Sequence, residues 1–301
     1  MAKRRPPQGE GARPSRAERL AARRADLEVA SRPFEGRRDE CDLVTLREIV
    51  PSATADLTLT DHPSLGSHAG ETVTLGTVLP LTWPGMKRSD GQVILAMQTP
   101  QRSLDLSRDY AQALLAALDA EAGEPIGDLP EAGPDSPSFN DLVVDQPLVV
   151  TCHQGFDWWV AEAPEPGSEA ADAMEQANAD VVPTERLLSV TGAYWCRIGE
   201  KAHLRWAMDH EEETLLDALA RLKATGDLTV GDDSRFVGSF RALGIVVPVW
   251  DVSLDATAKS LEEPAAALRT KLDAVLADKR SLTPDERKAR AEISSRQVTL
   301  R

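Results

Sequence analysis

The side chains with the widest chemical reach in this 301-residue sequence are three cysteines, Cys41, Cys152 and Cys196, and five histidines. Cys152 stands next to His153, and Cys196 precedes His203 by seven residues. A thiolate beside an imidazole makes a nucleophile pair, and four such ligands suit zinc. The spacing contains no CxxC and no HExxH, so neither a zinc ribbon nor a zincin is supported. Strand geometry separates the groups further. Ala202, Leu204, Trp206 and Met208 alternate onto one face, as do Tyr194, Cys196 and Ile198. A loop at 199–201 would pair Ile198 with Ala202, Cys196 with Leu204 and Tyr194 with Trp206. That register leaves His203 on the face away from Cys196. Cys152 and His153, adjacent in an extended run, point to opposite sides unless a bulge intervenes.

The run Asp209-His210-Glu211-Glu212-Glu213 offers ligands to a metal. At the start of a helix the same residues supply an N-cap, Asp209, and first-turn acids that suit the helix dipole. There is no GxxxxGK[ST], no GxGxxG after a strand and no GxSxG elbow. The expectation is therefore no cofactor, no metal and no assigned catalytic residue. An enzyme stays open as an alternative near Cys152–Asp157. It requires a pocket that gathers Cys152, His153 and Asp157 with a partner such as His203.

Six tryptophans give a second kind of site. The neighbours Trp158 and Trp159, on an expected strand FDWWV after a Gln154-Gly155 turn, must face opposite ways. One of them then lies on a binding face, unless a helix covers it. Base stacking there is disfavoured, because no Lys or Arg occurs between Arg108 and Arg186 while 17 Asp and Glu do.

That acidic stretch exceeds the whole net charge of −15, which comes from 34 Lys+Arg against 49 Asp+Glu. It reads either as a docking surface for a basic partner or as solvated loops and helix faces. Residues 1–24 hold eight basic side chains against Glu10 and Glu18. Arg16, Arg19 and Arg23 share a helix face, with Arg24 beside them. They would anchor phosphate, RNA or the ribosome, or else keep a tail solvated. No apolar run is long enough for a membrane span and no secretory h-region follows the basic start, so the chain is expected to be cytoplasmic with no membrane partner.

The elements that must position these residues alternate in period. CDLVTLREIV (41–50), 107–120, 171–179, 210–224, 261–279 and a last segment after Thr283-Pro284 read as helices. Pro264 is expected in the first turn of its helix. Residues 54–60, 71–81, 92–98, 146–153, 156–160 and IVVPVWDV (245–252) read as strands, with 92–98 returning antiparallel on 71–81 and Pro248 at a sheet edge. SRFVGSFRAL (234–243) reads as a short helix. A hairpin followed by a helix recurs near 71–120 and near 186–224, consistent either with a duplicated unit or with independent use of a common arrangement. The fold class is α+β, antiparallel hairpins packed on helices. The expected organisation is a tail at 1–30, a first unit at 31–140, a second at 141–255 and terminal helices at 256–301.

ARPSRAERLAARRADLEVASRPFEGRRDECDLVTLREIVPSATA, VLPLTWPGMKRSDGQVILAMQ, RFVGSFRALGIVVPVWDV and the closing SSRQVTLR together resemble an uncharacterised actinobacterial family, a domain of unknown function. The resemblance covers nearly the whole chain after the tail and implies no activity and no site residue. The hairpin-helix units are loosely similar to small acidic chaperone-like domains. The leading expectation is a non-catalytic cytosolic binding or adaptor protein with a protein partner. The first alternative is a ribosome- or RNA-associated regulator acting through Arg16, Arg19, Arg23 and Arg24.

Overall fold

The computed structural model describes residues 32–295 apart from Asp128 and Pro134. The four arginines expected to bind phosphate lie outside the described residues. The first half runs α1 (Glu40–Glu48), β1 (Ala53–Thr58), β2 (Thr72–Gly76), β3 (Gly85–Lys87), β4 (Val93–Ala96), α2 (Leu106–Asp119), α3 (Phe139–Leu142) and β5 (Thr151–Cys152). The second half runs α4 (Glu169–Ala179), β6 (Thr184–Arg186), β7 (Ala193–Ile198), β8 (Lys201–Trp206), α5 (Glu212–Thr225), β9 (Arg235–Ala242), β10 (Ile245–Val252), α6 (Ala258–Leu276) and α7 (Pro284–Ser295). This is an α+β fold.

The strands form two five-stranded sheets, in the orders β3-β4-β2-β1-β5 and β6-β7-β8-β10-β9. The second is wholly antiparallel. The first is mixed, because β4 runs parallel to β2 and antiparallel to β3. So 92–98 returns antiparallel on β3 across the Ser89-Asp90-Gly91 turn, and lies along 71–81 in parallel. Strand β2 stops at Gly76, and Leu81, the last residue of the expected strand, is 84% exposed.

The segment 234–243 is strand β9, not a helix. Its burial alternates, with Phe236, Phe240 and Ala242 buried and Ser239 half-buried between them. Phe236 and Phe240 at i and i+4 satisfy either period, and the tight Leu243-Gly244 turn, both at positive φ, decides for a hairpin. A register shift at Val249/Trp250 sends Phe236 to one face of the sheet and Phe240 to the other. Strand β10 is central rather than at an edge. Pro248, with no N–H, falls between the β8 pairing at Val249 and the Met208–Val246 bridge. The caps also differ from expectation. Glu211, not Asp209, caps α5 by accepting from the N–H of Glu213 and Thr214 at 3.0 and 2.7 Å. Helix α6 starts at the Thr257 cap, which places Pro264 in its second turn.

The second sheet is covered on both faces. Trp195, Leu204, Trp206 and Trp250 pack under α5, α6 and α7. Tyr194, Val247 and Val249 join α1, α2 and the inner face of the first sheet in one core. Helix α1 sits in that shared core with Glu40 and Asp42 buried. The Asp42 carboxylate accepts from Arg186 at 2.8 and 3.2 Å and from the Tyr194 hydroxyl at 3.0 Å. Removing one partner of a buried pair strands the other charge. Asp42→Asn is therefore expected to lower unfolding stability by about 3–5 kcal/mol, and Asp42→Asn with Arg186→Met by less than the sum of the two single changes. Urea denaturation of the two single variants and the double variant checks this; additive losses would remove the pair from the account.

Candidate functional site

Strand β1 turns its alternate residues outward, so Thr54 faces away from the core and stands opposite Gly76 of β2. The chain leaves β5 at Cys152, bends at Gln154-Gly155 and forms a single 3-10 turn, Asp157–Trp159, where a second hairpin strand was expected. Because this is a turn, Trp158 and Trp159 do not face opposite ways. Both half-buried rings pack on one small apolar group, Leu79, Ile94 and Ala96 with Trp83 and Met86. Trp159 stacks on Phe156 at 4.2 Å and donates Nε1–H to the Val78 carbonyl at 2.7 Å. Trp158 lies across the turn from it, edge to face, and donates Nε1–H to Ser52 Oγ at 3.0 Å.

The seat for Trp158 is a glycine. A Cβ on Gly76 would stand 2.5 Å from the indole ring. Gly155 is equally required, since its Cβ would meet the Asn178 amide of α4 at 2.6 Å. Asn178 Oδ1 accepts from the Phe156 N–H at 2.7 Å, and Ser52 Oγ donates to the Gly155 carbonyl at 2.6 Å. The turn is thus pinned from α4 on one side and from the residue leading into β1 on the other.

What results is a cleft of about 230 Å³ lined by His153, Gln154, Gly155, Asp157, Trp158 and Asn178. His153 Nε2 and Thr54 Oγ1 are hydrogen-bonded at 2.8 Å. Burial lowers the His153 imidazole below its ordinary value, although the Asp157 carboxylate pulls the other way. Asp157 is the one carboxylate on its lining, and Glu162, Glu165, Glu169, Asp172, Glu175 and Asp180 are exposed on or beside α4, the helix that supplies Asn178, with no ion pair among the described residues.

The cleft gathers His153 and Asp157 but not Cys152 or His203. Cys152 turns toward the shared core, where the Arg186 N–H meets its sulfur, and burial pushes its thiol up to about 11. His203 lies in the second sheet, its Nδ1 3.0 Å from Asp251. The hairpin register there also differs from expectation. Gly199 takes a positive φ in a two-residue turn, so Ile198 pairs with Lys201 and Cys196 with His203. Cys196 and His203 therefore share a face. Burial raises the Cys196 thiol and lowers the His203 imidazole, which opposes forming the charged pair that a nucleophile needs. No group of three or more His, Cys, Asp or Glu among the described residues stands where it could hold a metal ion. No helix among them is long and apolar enough to cross a membrane.

Residues 33–301 match the model of DUF5926, a family of unknown function. The chain belongs to that family. Neither a curated protein nor a solved structure matches it significantly.

Ser52, Thr54 and Asn178 escape a reading of the sequence, because each acts across more than 20 residues of chain. Gly76 leaves one signal, an isolated glycine inside a strand pattern, which marks close approach by another group. Gly76→Ala is expected to evict the Trp158 ring. Tryptophan emission should shift to the red and stability should fall by about 1–3 kcal/mol; unchanged emission would mean the ring is not seated there.

Burial also holds His203 and His210, like His153, below the ordinary imidazole value. The unfolded chain takes up these protons near pH 6.5, before the folded state does. Each therefore contributes stability above about pH 6.5 that is lost as the pH falls. Thermal melts of the wild type between about pH 8 and about pH 5 should lose more stability than those of H153Q/H203Q/H210Q. Parallel curves would contradict the burial of these rings.

Proposed function

We propose that this protein is a non-catalytic binding protein of the cytosol, an adaptor or chaperone-like module, and that it recognises a basic polypeptide segment at the His153–Trp158 cleft. The observation that carries this is a fixed aromatic wall beside Asp157 and next to α4, whose exposed acids have no ion pair among the described residues. Carboxylates steer a cationic segment by long-range attraction. The half-buried indole of Trp158 offers a face to a guanidinium or ammonium, and the cleft excludes part of the competing water. A catalytic role has less support, since no activated nucleophile stands beside His153. Thr54 is a hydroxyl on an imidazole that burial keeps a weak base.

A second reading rests on the sequence alone: Arg16, Arg19, Arg23 and Arg24 bind RNA or the ribosome. The two readings separate in one experiment on the full chain. A fluorescein-labelled Arg-Gly repeat peptide should bind with an affinity that falls steeply between about 50 and about 200 mM salt, and D157N/D172N/E175Q should weaken it by about fivefold or more. A single-stranded RNA oligonucleotide should bind only under the second reading, and R16A/R19A/R23A/R24A should abolish it. Peptide binding unchanged by loss of the three acids would refute the cleft as the recognition surface.

A further inference from the structure

The second opening lies between the two sheets, away from the acidic cleft. It is a mouth of about 300 Å³ at the C-terminal end of α1, lined by Ile49, Val50, Pro51, Val182 and Ile198 and by the polar Glu48, Gln98 and Arg205 of β8. That volume is at the small end of the range for small-molecule sites, roughly 300–1,000 Å³. Ile198 is 37% exposed there, and Arg205 is half-buried.

Arg205 has no ion pair among the described residues, in a chain with a 15-charge acidic excess. The reason is positional. Its cross-strand neighbours are Tyr194 on β7 and Val249 on β10, neither of which carries a charge that can pair with it. The carboxylates along this face already have other partners. Asp42 holds Arg186, Asp251 holds Arg235 and meets the His203 imidazole, and Glu48, at the mouth itself, holds Arg47 at 3.1 Å. A guanidinium is a planar fork of donors that matches a carboxylate with two parallel hydrogen bonds. Here the fork stands beside a mostly apolar pocket that none of the described residues fills.

We propose that this mouth binds a small organic carboxylate with an apolar body, the carboxylate on Arg205 and the body against Ile49, Val182 and Ile198. The proposal is independent of the acidic cleft, which has the opposite charge preference.

The test is calorimetric titration of the full chain with 4-phenylbutyrate and, in parallel, with its neutral amide. The acid is expected to bind about tenfold more tightly than the amide, or about 1.4 kcal/mol. Arg205→Met keeps the apolar stem and removes the fork; it should erase that preference and leave the affinity for the amide unchanged. Methyl NMR on the wild type gives a second measurement that needs no variant, and the acid should shift Ile49, Val182 and Ile198 above all others. Equal binding of acid and amide, no saturable binding, methyl shifts elsewhere, or a preference that survives Arg205→Met would each overturn the proposal. D157N/D172N/E175Q should leave the preference intact, so failure of either site is read separately.

Discussion

Helix α1 is buried over most of its length, and it is not apolar. Cys41, Leu43, Val44 and Leu46 are enclosed, but so are Glu40, Asp42 and Thr45. A helix buried all round is ordinarily hydrophobic all round, and an unpaired ion in such a place costs several kcal/mol. The carboxylates stay only because arginines reach them, two from the segment just before the helix and one from strand β6. Arg32 forks onto Glu40 at 2.7 and 2.8 Å. Arg37 takes Asp39 and the carbonyls of Val143 and Val144. Arg186 and Tyr194 take Asp42. At the far end, Arg47 donates to the carbonyls of Met97 and Thr99 and to the Tyr110 hydroxyl. Arg32 and Arg37 come from the segment just before the helix, but Arg186 and Tyr194 are in place only with the second sheet, and the Met97 and Thr99 carbonyls only with the first. The helix therefore makes the assembly of each sheet depend on the other, through pairs that are directional where apolar packing is not.

The cleft and the inter-sheet mouth both follow from where α1 ends. Leaving the helix, the chain passes Ile49, Val50 and Pro51, which wall the mouth, and reaches buried Ser52 within three residues. Ser52 accepts the His153 N–H on its carbonyl and the Trp158 indole N–H on its hydroxyl, and it donates to Gly155. A side chain that is fixed this closely to a buried ionic helix has little freedom. The aromatic turn inherits that rigidity, although it is joined to the first sheet by only the two-residue strand β5. This answers how a loop rich in half-exposed aromatics keeps one conformation. Its anchor is the core, reached through a serine.

The parts of this architecture that depend on local period are legible in the sequence. Helix α2 shows its buried stripe at Tyr110, Leu114 and Leu118, and α6 shows Leu261, Ala265, Leu268 and Leu272. The errors arise where two periods or two turn lengths fit equally well. Phe236 and Phe240 suit a helix as well as a strand with a bulge. Ile198 to Ala202 accepts a two- or a three-residue turn, and one residue of slip moved Cys196 onto the face of His203. The buried charges of α1 left no trace of any kind. CDLVTLREIV reads only as a short helix, because burial of its Asp42 is made tolerable by an arginine 144 residues away. Likewise the pairing of two tryptophans on one apolar group depends on Gly76 and Ser52, neither of which neighbours them in sequence.

The same arginines bear on how the acidic surface should be understood. A net charge of −15 could be a diffuse solubility device. Here it is the remainder after segregation. Arg32, Arg37 and Arg186 are drawn in as counter-ions to the carboxylates at the start of α1, Arg47 of the helix itself turns onto the Met97 and Thr99 carbonyls, and Arg88 is turned inward to the Trp158 carbonyl and Asp90. The acids of 109–185 are left on the outside without them. Solvation alone would be satisfied by any flexible acidic segment. It would not need Gly76 and Gly155 cleared of side chains, nor an asparagine and a serine committed to one loop conformation. Conformational order at an exposed, uniformly charged surface opposes both chain entropy and self-repulsion. Its persistence in this fold is what sets the His153–Trp158 turn apart from the other acidic loops of the chain.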